Sequence, residues 1–294
     1  MPEAKQFYKY RPDSGLIVDP AMSDYSAFGM MERDGWSDPA RASGYVKLFA
    51  SASDQSIPSL LAAVGAKANL KALDLCCGQG NVAEVLTDRG CQVVGIDFSP
   101  AMLALARQRV PSATFFEADA QDLPFSDAEF DIAVSNFGIC HVPDPARALS
   151  EVRRVLRPKG RFAMTVWCGP DISPCFEVVY GAVKTHGSPD VAVPPGPDFH
   201  QFAKREIAEQ LLLRAGFPNV ELSVIDCGWD LDRPEGLAEI IERGTVRAAA
   251  LLSKQPAQNL AAIRSSLTQA ARERFASGDR WRVPVPAALI RATA

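Results

Sequence analysis

A short glycine-containing stretch, LDLCCGQGNV at residues 73–82, is the first part of the sequence that suggests chemistry. Gly78 and Gly80 let the backbone approach a ligand closely, because neither residue carries a Cβ. With Ala83 the stretch also fits G-x-G-x-x-A, the weak form of the dinucleotide fingerprint. Two adjacent cysteines in the same stretch add the possibility of a thiol site. The stretch by itself leaves a thiol site, a dinucleotide site and another cofactor site open.

Three aspartates along the following segments narrow the choice of ligand. Asp74 lies just ahead of the glycines, where a negative charge disfavours a pyrophosphate and favours a cationic sulfonium or ammonium group. Asp97 is placed where an acid binds the ribose hydroxyls of a nucleotide, or where it assists a helix N-cap. Asp119, followed by Ala120, can accept a hydrogen bond from an adenine amino group or cap a turn.

The hydrophobic pattern from residue 71 onward predicts a framework that brings these residues together. Short apolar runs alternate with amphipathic helical segments, a pattern typical of a parallel sheet covered on both faces. The predicted strands are 71–76, 92–96, 113–117, 130–135, 161–167 and 220–227, and the predicted helices are 81–87, 99–110, 144–156 and 203–215. Folds of this kind bind ligands at the carboxyl ends of their strands. We therefore expect the aspartates at one edge of the sheet.

Other segments are predicted to surround this sheet, so that residues 71–294 form one cofactor-binding domain. Residues 1–70 are expected to form a helical segment over the cofactor site. Residues 168–203 are rich in proline and glycine, with one helical turn near 176–183, which is typical of a lid. Residues 234–276 read as a helical insertion, and the tail RWRVPVPAALI (280–290) reads as one final strand.

The composition is that of an ordinary globular protein, with 47% hydrophobic and 22% charged residues among 294. A formal net charge of −4 provides no basic field for a nucleic-acid backbone. No apolar run reaches the roughly 18 residues of a membrane-spanning helix, and the first residues lack a signal-peptide core. The seven cysteines show no C-x-x-C pair and no metal-ligand spacing. We therefore expect a cytoplasmic protein with reduced thiols, no metal, no nucleic-acid partner and no membrane span.

Taken in order, the motifs resemble those of the class I S-adenosylmethionine (SAM)-dependent methyltransferases. LDLCCGQGNV is similar to the family's first motif, GIDFSPAML (95–103) to its ribose and adenine segment, and EADAQDLPFSDAEFD (117–131) to the stretch entering the fourth strand. SNFGICHVPDPARALSEVRRVLRPKGRFAMTVW (135–167) resembles the fourth strand, the next helix and the fifth strand. The sequence looks closest to the ubiquinone/menaquinone-type, type 11-like group. The resemblance covers residues 36–167 well and implies a Rossmann-like, doubly wound α/β sheet of seven mostly parallel strands, the last antiparallel.

The resemblance implies SAM as cofactor and S-adenosylhomocysteine (SAH) as product. Together with the acid in the first strand, the predicted cofactor-binding residues are Asp74, Cys77, Gly78, Gly80, Asp97, Phe98, Met102, Asp119, Ala120, Asn136 and Phe137. The loop backbone is expected to contact the amino acid part of SAM, Asp97 the ribose, and Asp119 the adenine amino group. The family commonly has glycine where Cys76 stands, and the small cysteine is expected to tighten the loop.

Methyl transfer from SAM is an in-line displacement, so alignment of the two reactants supplies much of the catalysis. A base is needed only when the acceptor is protonated. His141, after the fourth strand, is the candidate to deprotonate or orient an acceptor, with loop packing as its alternative role. The predicted acceptor pocket is made by Tyr25, Phe28, Trp36, Tyr45, Phe176, Tyr180, Phe199, His200, Phe202 and Trp229.

The residues after the fourth strand also exclude some acceptors. SNFG (135–138) is not the N/D-P-P-Y/F sequence of enzymes that methylate nucleic-acid bases, so we expect a small organic acceptor that takes the methyl on O, N or C. Two alternatives stay open. One is a SAM-binding protein of the same fold with another reaction or a regulatory role, and the other is an NAD-dependent oxidoreductase.

Overall fold

The computed structural model describes residues 25–294, and a sheet of parallel strands lies at its centre. In chain order the strands are β1 (Lys71–Leu75), β2 (Gln92–Asp97), β3 (Thr114–Glu117), β4 (Phe130–Asn136), β5 (Leu156–Trp167), β6 (Asn219–Ile225), β7 (Gly228–Leu231), β8 (Ala276–Ser277), β9 (Arg280–Pro284) and β10 (Ala287–Thr293). Seven of them form one sheet in the order β3-β2-β1-β4-β5-β10-β6, in which β10 runs antiparallel to both neighbours. The predicted seven-stranded, mostly parallel sheet with an antiparallel last strand is confirmed.

Helices cover both faces of this sheet. The α-helices are α1 (Ser26–Ser37), α2 (Pro39–Gly44), α3 (Ala50–Ser53), α4 (Ile57–Ala63), α5 (Asn81–Asp88), α6 (Pro100–Arg109), α7 (Pro145–Val155), α8 (Pro174–His186), α9 (Arg205–Arg214), α10 (Gly236–Gly244), α11 (Arg247–Ser253) and α12 (Ala257–Arg274). A π-helical turn, Tyr45–Phe49, continues α2. Side chains of Asp38, Ser99, Asp144 and Ser173 accept backbone N–H bonds at the starts of α2, α6, α7 and α8. Proline is the first residue of each of these helices. The start points of the four helices therefore follow directly from the local sequence.

The tail from residue 280 differs from the predicted single strand. It forms two strands, because β9 pairs with β7 and β8 in a separate three-stranded sheet and β10 enters the central sheet. Pro284 and Pro286 stand at the change of sheet, where a residue without an N–H cannot continue a ladder. The short strands β7 and β8 had no recognisable signal in the sequence.

Two helices were also missed or shortened. Residues 1–35 show no sustained periodicity that would mark a particular helix, yet α1 forms there and buries Phe28 and Trp36 on one side. The predicted single turn in the 168–203 insertion is the 13-residue helix α8. The buried face of α1 contains an acid, Glu32, between its two aromatic residues and so shows no apolar period. In α8 the buried residues do have helical spacing, but the prolines and glycines around them indicated a loop.

A second hydrophobic core lies beyond the carboxyl end of the central sheet. It joins α8, α10 and α12 to the small sheet, with Trp229 and Phe49 at 4.9 Å between ring centroids. Trp167, the last residue of β5, belongs to the same core. This core therefore attaches the insertions to the edge at which parallel α/β sheets bind ligands. Within residues 25–294, no helix combines the length and the apolar character needed to cross a bilayer.

The contact between α2 and the 234–276 insertion can be tested at Gly44. A Cβ at this position would overlap the carbonyl oxygen of Arg243 at the end of α10, and backbone cannot swing away as a flexible side chain can. We expect Gly44→Ala to lower the free energy of unfolding by about 1–3 kcal/mol. Gly181→Ala, in the middle of α8 with open space at its Cβ, is the matched control and should raise it by about 0.5–1 kcal/mol. Urea denaturation measures both; equal effects would contradict this packing.

Candidate cofactor and acceptor site

The loop between β1 and α5 turns through three residues with positive φ. They are Cys76 (φ 57°), Gly78 (φ 53°) and Gly80 (φ 81°). A non-glycine residue in this region costs about 1–2 kcal/mol, which gives a physical reason for the glycine that the resembled family commonly has where Cys76 stands. Gly138, on the loop after β4, leaves the room that the Cys76 side chain occupies, since a Cβ at Gly138 would overlap that of Cys76.

Gly80 lies behind the loop and does not line the cavity. It is the N-cap of α5, and a Cβ there would come within 3.1 Å of Ala106 on α6. The predicted contact of Gly80 with SAM is therefore corrected to a packing and turning role. Gly78 differs, because a Cβ there would meet nothing within 4 Å and would project into the cavity instead.

The two loop cysteines do not form a reactive thiol site. Burial raises the pKa of Cys76 and of Cys77 well above the ordinary thiol value, and nearby aspartates raise it further. The thiolate is the nucleophilic form, so both side chains stay neutral at physiological pH. Cys77 instead uses its backbone, donating an N–H to the Ile96 carbonyl over 2.8 Å.

Asp74 is a buried carboxyl without a hydrogen bond of ordinary length in the described chain, although the Ala83 backbone N–H faces it and offsets part of the rise in its pKa. It is 1% exposed, and neither side-chain oxygen accepts a hydrogen bond from residues 25–294. Burial raises its pKa to about 8, with Asp97 adding to the shift. Because an unpaired buried carboxylate is costly, the side chain is suited to a cationic ligand in the cavity that it lines.

Asp97 is fixed by the backbone on both of its oxygens. Gly78 N donates to Oδ2 and Ser99 N donates to Oδ1, each over 2.9 Å. The Ser99 hydroxyl in turn donates to the Trp36 carbonyl over 2.6 Å and so links this strand end to α1. Asp97 therefore lies at the junction of the glycine loop, α6 and α1, as the ribose-binding role requires.

A cavity of about 990 Å³ opens from this strand edge. Besides the loop glycine Gly78, seven of the predicted cofactor residues line it: Asp74, Cys77, Asp97, Phe98, Met102, Asn136 and Phe137. Its volume is at the upper end of the roughly 300–1,000 Å³ typical of small-molecule sites. The space therefore suits a cofactor and an acceptor side by side.

A smaller cavity of about 310 Å³ lies next to it, between α1 and the end of β3. Asp119 and Ala120 form one wall, and Phe98 and His141 are shared with the large cavity. Asp119 accepts from the backbone N of Gln121 over 2.9 Å and approaches the Arg33 guanidinium at 3.8 Å. The predicted adenine residues thus lie together, and the half-exposed Asp119 also holds a turn.

Asn136 and Phe137 form the floor between the two halves of the large cavity. Asn136 Oδ1 accepts hydrogen bonds from Ser56 Oγ over 2.7 Å and from Thr165 Oγ1 over 2.5 Å. Its Nδ2 donates to the Ser53 carbonyl over 3.2 Å. Phe137 follows with φ 59°. The amide is thus committed to structure, and Asn136 meets a ligand mainly as a surface.

His141 is held by a buried acid that the sequence did not reveal. Glu32, on α1, is 1% exposed, and its Oε2 lies 2.9 Å from His141 Nδ1 and accepts from Trp36 Nε1 over 3.0 Å. Burial alone would lower the pKa of His141, but Cys140 and the Glu32 carboxylate outweigh it and raise the pKa well above its usual value. The ring is therefore an imidazolium at neutral pH. Glu32 came from a segment without periodicity, so no local signal marked it.

Aromatic residues form the other half of the large cavity. The lining side chains that had been predicted are Trp36, Tyr45, Phe176, Tyr180, Phe199 and His200, and the structure adds Phe49 and Trp167. Trp167 stacks on Phe137 with ring centroids 3.8 Å apart. The acceptor side of the cavity therefore combines these aromatic side chains with aliphatic and charged residues of α8, α10 and α11.

Four predicted pocket residues lie elsewhere. Tyr25 lines neither cavity and precedes α1, where its carbonyl accepts the Gly29 N–H. Phe28 is buried against Gly196, whose Cβ would come within 2.5 Å of its ring. Phe202 is in the main core, and Trp229 is in the second core with its Nε1 donating to the Phe49 carbonyl over 3.0 Å. Each was chosen for its aromatic side chain, which identifies apolar packing and not which cavity it faces.

Known proteins resemble this chain in the same region. The family described as "Methyltransferase domain" matches residues 73–164. A demethylmenaquinone methyltransferase of Renibacterium salmoninarum is 32% identical over 167 residues, covering 57% of this chain and 69% of that protein. The chain belongs to the class I SAM-dependent methyltransferases. The match places this methyltransferase in the group that contains the quinone-type enzymes.

Two further similarities show how much of its sequence and of its fold the methyltransferase shares with known proteins. A 2-phytyl-1,4-naphtoquinone methyltransferase of Trichormus variabilis is 42% identical over 109 residues, which cover 34% of this chain and 48% of that protein. The YcgJ protein of Bacillus subtilis superimposes with a TM-score of 0.54 at 17% identity, covering 81% of this chain and 97% of that one. The latter similarity shows the fold alone.

The described residues fit SAM. An unpartnered buried carboxylate, Asp74, matches the cationic groups of the cofactor, and the bare Cα of Gly78 leaves space that a side chain would fill. The methyltransferase therefore uses SAM to methylate a small-molecule acceptor. A pyrophosphate would be unfavourable beside Asp74, so the NAD alternative does not fit this site.

Asp74 should link cofactor binding to proton release. With a pKa of about 8, the free site holds a proton at neutral pH, and a cationic ligand favours the ionised form. We expect SAH binding near pH 7 to release part of a proton, seen by calorimetry in buffers of different ionisation enthalpy. Asp74→Asn should abolish the release and weaken SAH binding. Because the folded pKa is raised, wild-type Asp74 costs the fold progressively more stability as pH rises from the ordinary carboxyl pKa to about 8, so the stability gained by Asp74→Asn over wild type should grow across that range and level off above it. A buffer-independent wild type would contradict the proposed contact.

Glu32 should control the charge of His141. In Glu32→Gln the burial effect is no longer opposed by a carboxylate, so the His141 pKa should fall. NMR titration can follow it, because the chain has only 3 histidines. In wild type the pair stabilises the fold fully below the usual imidazole pKa and loses its effect as pH rises through the raised value. Glu32→Gln should therefore destabilise most at acid pH. Glu84→Gln on α5, which removes an acid paired with Arg109 and not with His141, is the control, and an unchanged His141 titration in Glu32→Gln would refute the coupling.

Proposed function

We propose that this methyltransferase acts on an aromatic acceptor that carries a hydroxyl group. The observation that carries the proposal is the shape of the large cavity, which runs without interruption from Asp74 and Gly78 to the aromatic side chains of α8 and the 168–203 insertion. The printed names of two relatives, a demethylmenaquinone and a 2-phytyl-1,4-naphtoquinone methyltransferase, support a ring of this class. A quinone ring must be in its reduced, hydroxyl-bearing form to act as the nucleophile.

SAM supplies an electrophilic methyl group on a sulfonium, which is already an activated leaving group. The role of the cofactor-binding residues is therefore to hold SAM in place. Asp97 binds the ribose, Asp119 and Ala120 bind the adenine, and Asp74 with the backbone of Cys77 and Gly78 binds the amino acid end. Phe98 and Met102 pack beside the adenine. Held by these residues, SAM would lie beside the aromatic half of the same cavity, where alignment of its methyl with the acceptor would lower the barrier.

The aromatic walls hold the ring of the acceptor. Phe137 and Trp167 form a stacked pair along one side, and Phe199 lies edge-on to His141 with centroids 5.7 Å apart. Offset and edge-to-face contacts of this kind add about 0.5–1.5 kcal/mol beyond buried area. The ring is thereby placed next to His141, one of the polar residues that line the same cavity.

His141 orients the acceptor and does not deprotonate it. Its Nδ1 is bound to Glu32, so Nε2 is the nitrogen through which it can donate to an acceptor oxygen. As an imidazolium it stabilises the developing oxyanion, which makes the hydroxyl easier to ionise. Of the two roles expected for this residue, its protonation state supports the orienting one.

The surrounding segments enclose this site. The helical part of residues 1–70 that the structure describes covers the cofactor through α1, and the 168–203 insertion supplies the acceptor wall. Closure by such segments excludes water from the reacting groups.

All seven cysteines are free thiols, which supports a reducing, cytoplasmic location. A net charge of −4 supports a small acceptor over a nucleic acid.

The acceptor class is tested with 1,4-dihydroxynaphthalene and methyl-labelled SAM under oxygen-free conditions. We expect label on the ring compound and none on 1,4-dimethoxynaphthalene, which has no hydroxyl to ionise. Phe199→Ala should raise the KM for the dihydroxy compound about 10-fold, from lost apolar contact, without changing SAH affinity. Phe116→Ala, an exposed residue on β3, is the control. SAM binding without any transfer to this compound would overturn the proposed acceptor and favour a binding or regulatory role.

A further inference from the structure

A second histidine, in the acceptor half of the cavity, is paired with a tyrosine. His200 is 6% exposed, and its Nε2 lies 2.7 Å from the hydroxyl oxygen of Tyr180 on α8. Both residues line the large cavity. Both also belong to the 168–203 insertion, beyond residues 73–164 that the methyltransferase family shares. The pair is therefore associated with the acceptor and not with the common cofactor motifs.

The hydrogen bonds of His200 determine which nitrogen carries the proton. Nδ1 lies 3.0 Å from the carbonyl oxygen of Trp167. A carbonyl only accepts, so Nδ1 must be the N–H donor. In the neutral ring Nε2 is then the acceptor, and the Tyr180 hydroxyl donates to it. The two hydrogen bonds therefore point the same way. The Tyr180 hydroxyl donates to His200, and His200 donates to the Trp167 carbonyl at the end of β5.

The surroundings of His200 favour the neutral ring. Burial lowers its pKa, and the effects of the Trp167 carbonyl, Asp198, Lys204 and Asp171 are smaller and partly opposed. Asp198 is itself engaged, since it accepts the His200 backbone N–H over 3.0 Å and the Lys204 ammonium over 2.8 Å. On α8, Glu177 is paired with Arg274, and Lys184 is an exposed residue at the same cavity.

The two histidines of the cavity therefore have opposite characters. His141 sits against a buried carboxylate and carries a positive charge, whereas His200 sits against a carbonyl and two aromatic rings, Phe176 at 4.7 Å and Phe199 at 5.2 Å between centroids. Titratable groups whose environments separate their protonation states in this way identify an acid and a base. Only His200 has an unprotonated nitrogen ready to take a proton.

We propose that Tyr180 and His200 form a proton relay that deprotonates the acceptor during methyl transfer. This inference rests on the proposed hydroxyl-bearing acceptor. The acceptor hydroxyl gives its proton to Tyr180 Oη, while the Tyr180 proton moves to His200 Nε2. The acceptor electron pair forms the new bond to the methyl carbon, and the pair of the broken S–C bond stays on sulfur. Tyr180, which is partly exposed, later gives its proton to water and takes the proton on His200 Nε2 back, which restores the neutral pair. Tyr180 is the catalytic residue, and His200 acts through it.

The relay predicts a loss that depends on the acidity of the acceptor. With 1,4-dihydroxynaphthalene near neutral pH, Tyr180→Phe and His200→Gln should each lower kcat about 100-fold, within the range usual for general bases. With 4-nitro-1-naphthol, which is already ionised under these conditions, the same variants should approach the wild-type rate. Raising the pH should also restore Tyr180→Phe on the first compound. His186→Gln, at the end of α8 and outside the cavity lining, is the control for loss of a histidine.

A readout without turnover separates the relay from a structural role. Nitrogen NMR of the SAH complex should show His200 as the neutral Nδ1–H form, and binding of 1,4-dihydroxynaphthalene should shift its Nε2 signal in wild type but not in Tyr180→Phe. Equal kcat losses on both naphthols, or a His200 protonated on Nε2, would overturn the relay while leaving the methyltransferase assignment intact. A wild type that binds SAH and methylates neither compound would instead overturn the proposed acceptor, and the relay with it.

Discussion

The structure of the site depends on how the ends of β4 and β5 are tied together. Asn136 on β4 accepts from Thr165 on β5 and from Ser56 in the helical segment, and it donates to the Ser53 carbonyl. Phe137 then continues from β4, with its N–H donated to the Thr165 carbonyl over 3.1 Å. One amide, hydrogen-bonded through both its oxygen and its nitrogen, thus connects the N-terminal helices, the cofactor floor and the acceptor wall. In a low-dielectric setting such a network resists rearrangement, because each lost bond leaves an unpaired buried group.

This junction continues into the chemistry of the acceptor half. Phe137 stacks on Trp167, and the Trp167 carbonyl holds His200, which faces Tyr180. On the other side, α1 brings Glu32 to His141. The two halves are therefore positioned by different parts of the chain against one sheet edge. That arrangement allows the cofactor motifs to be shared among relatives while the residues facing the acceptor vary with the insertion.

The sequence predicted the sheet and most cofactor residues because their signals are local. Apolar strands, the glycine loop and the proline-preceded helix starts are read within a few residues of one another, and each constrains the backbone directly. Glu32, Phe49 and Trp167 escaped prediction because their roles arise from contacts across long stretches of chain. Tyr25, Phe28, Phe202 and Trp229 were misplaced for the same reason, since aromatic character does not reveal direction. Gly80 was misassigned because a positive φ and a ligand contact both select glycine.

Strand β10 has a consequence for how the molecule folds. It is the last strand in the sequence, yet it lies inside the sheet between β5 and β6, and β6 pairs with no other strand in the described chain. The register joins Ala287 to Trp167 and to Ile225 at one end. Because β6 joins the sheet only through β10, the side of the sheet beyond β5 cannot be completed until the C-terminal strand is available. Such distant pairing raises the contact order and slows folding, and until β10 arrives the exposed edge of β5 is open to pairing with other chains.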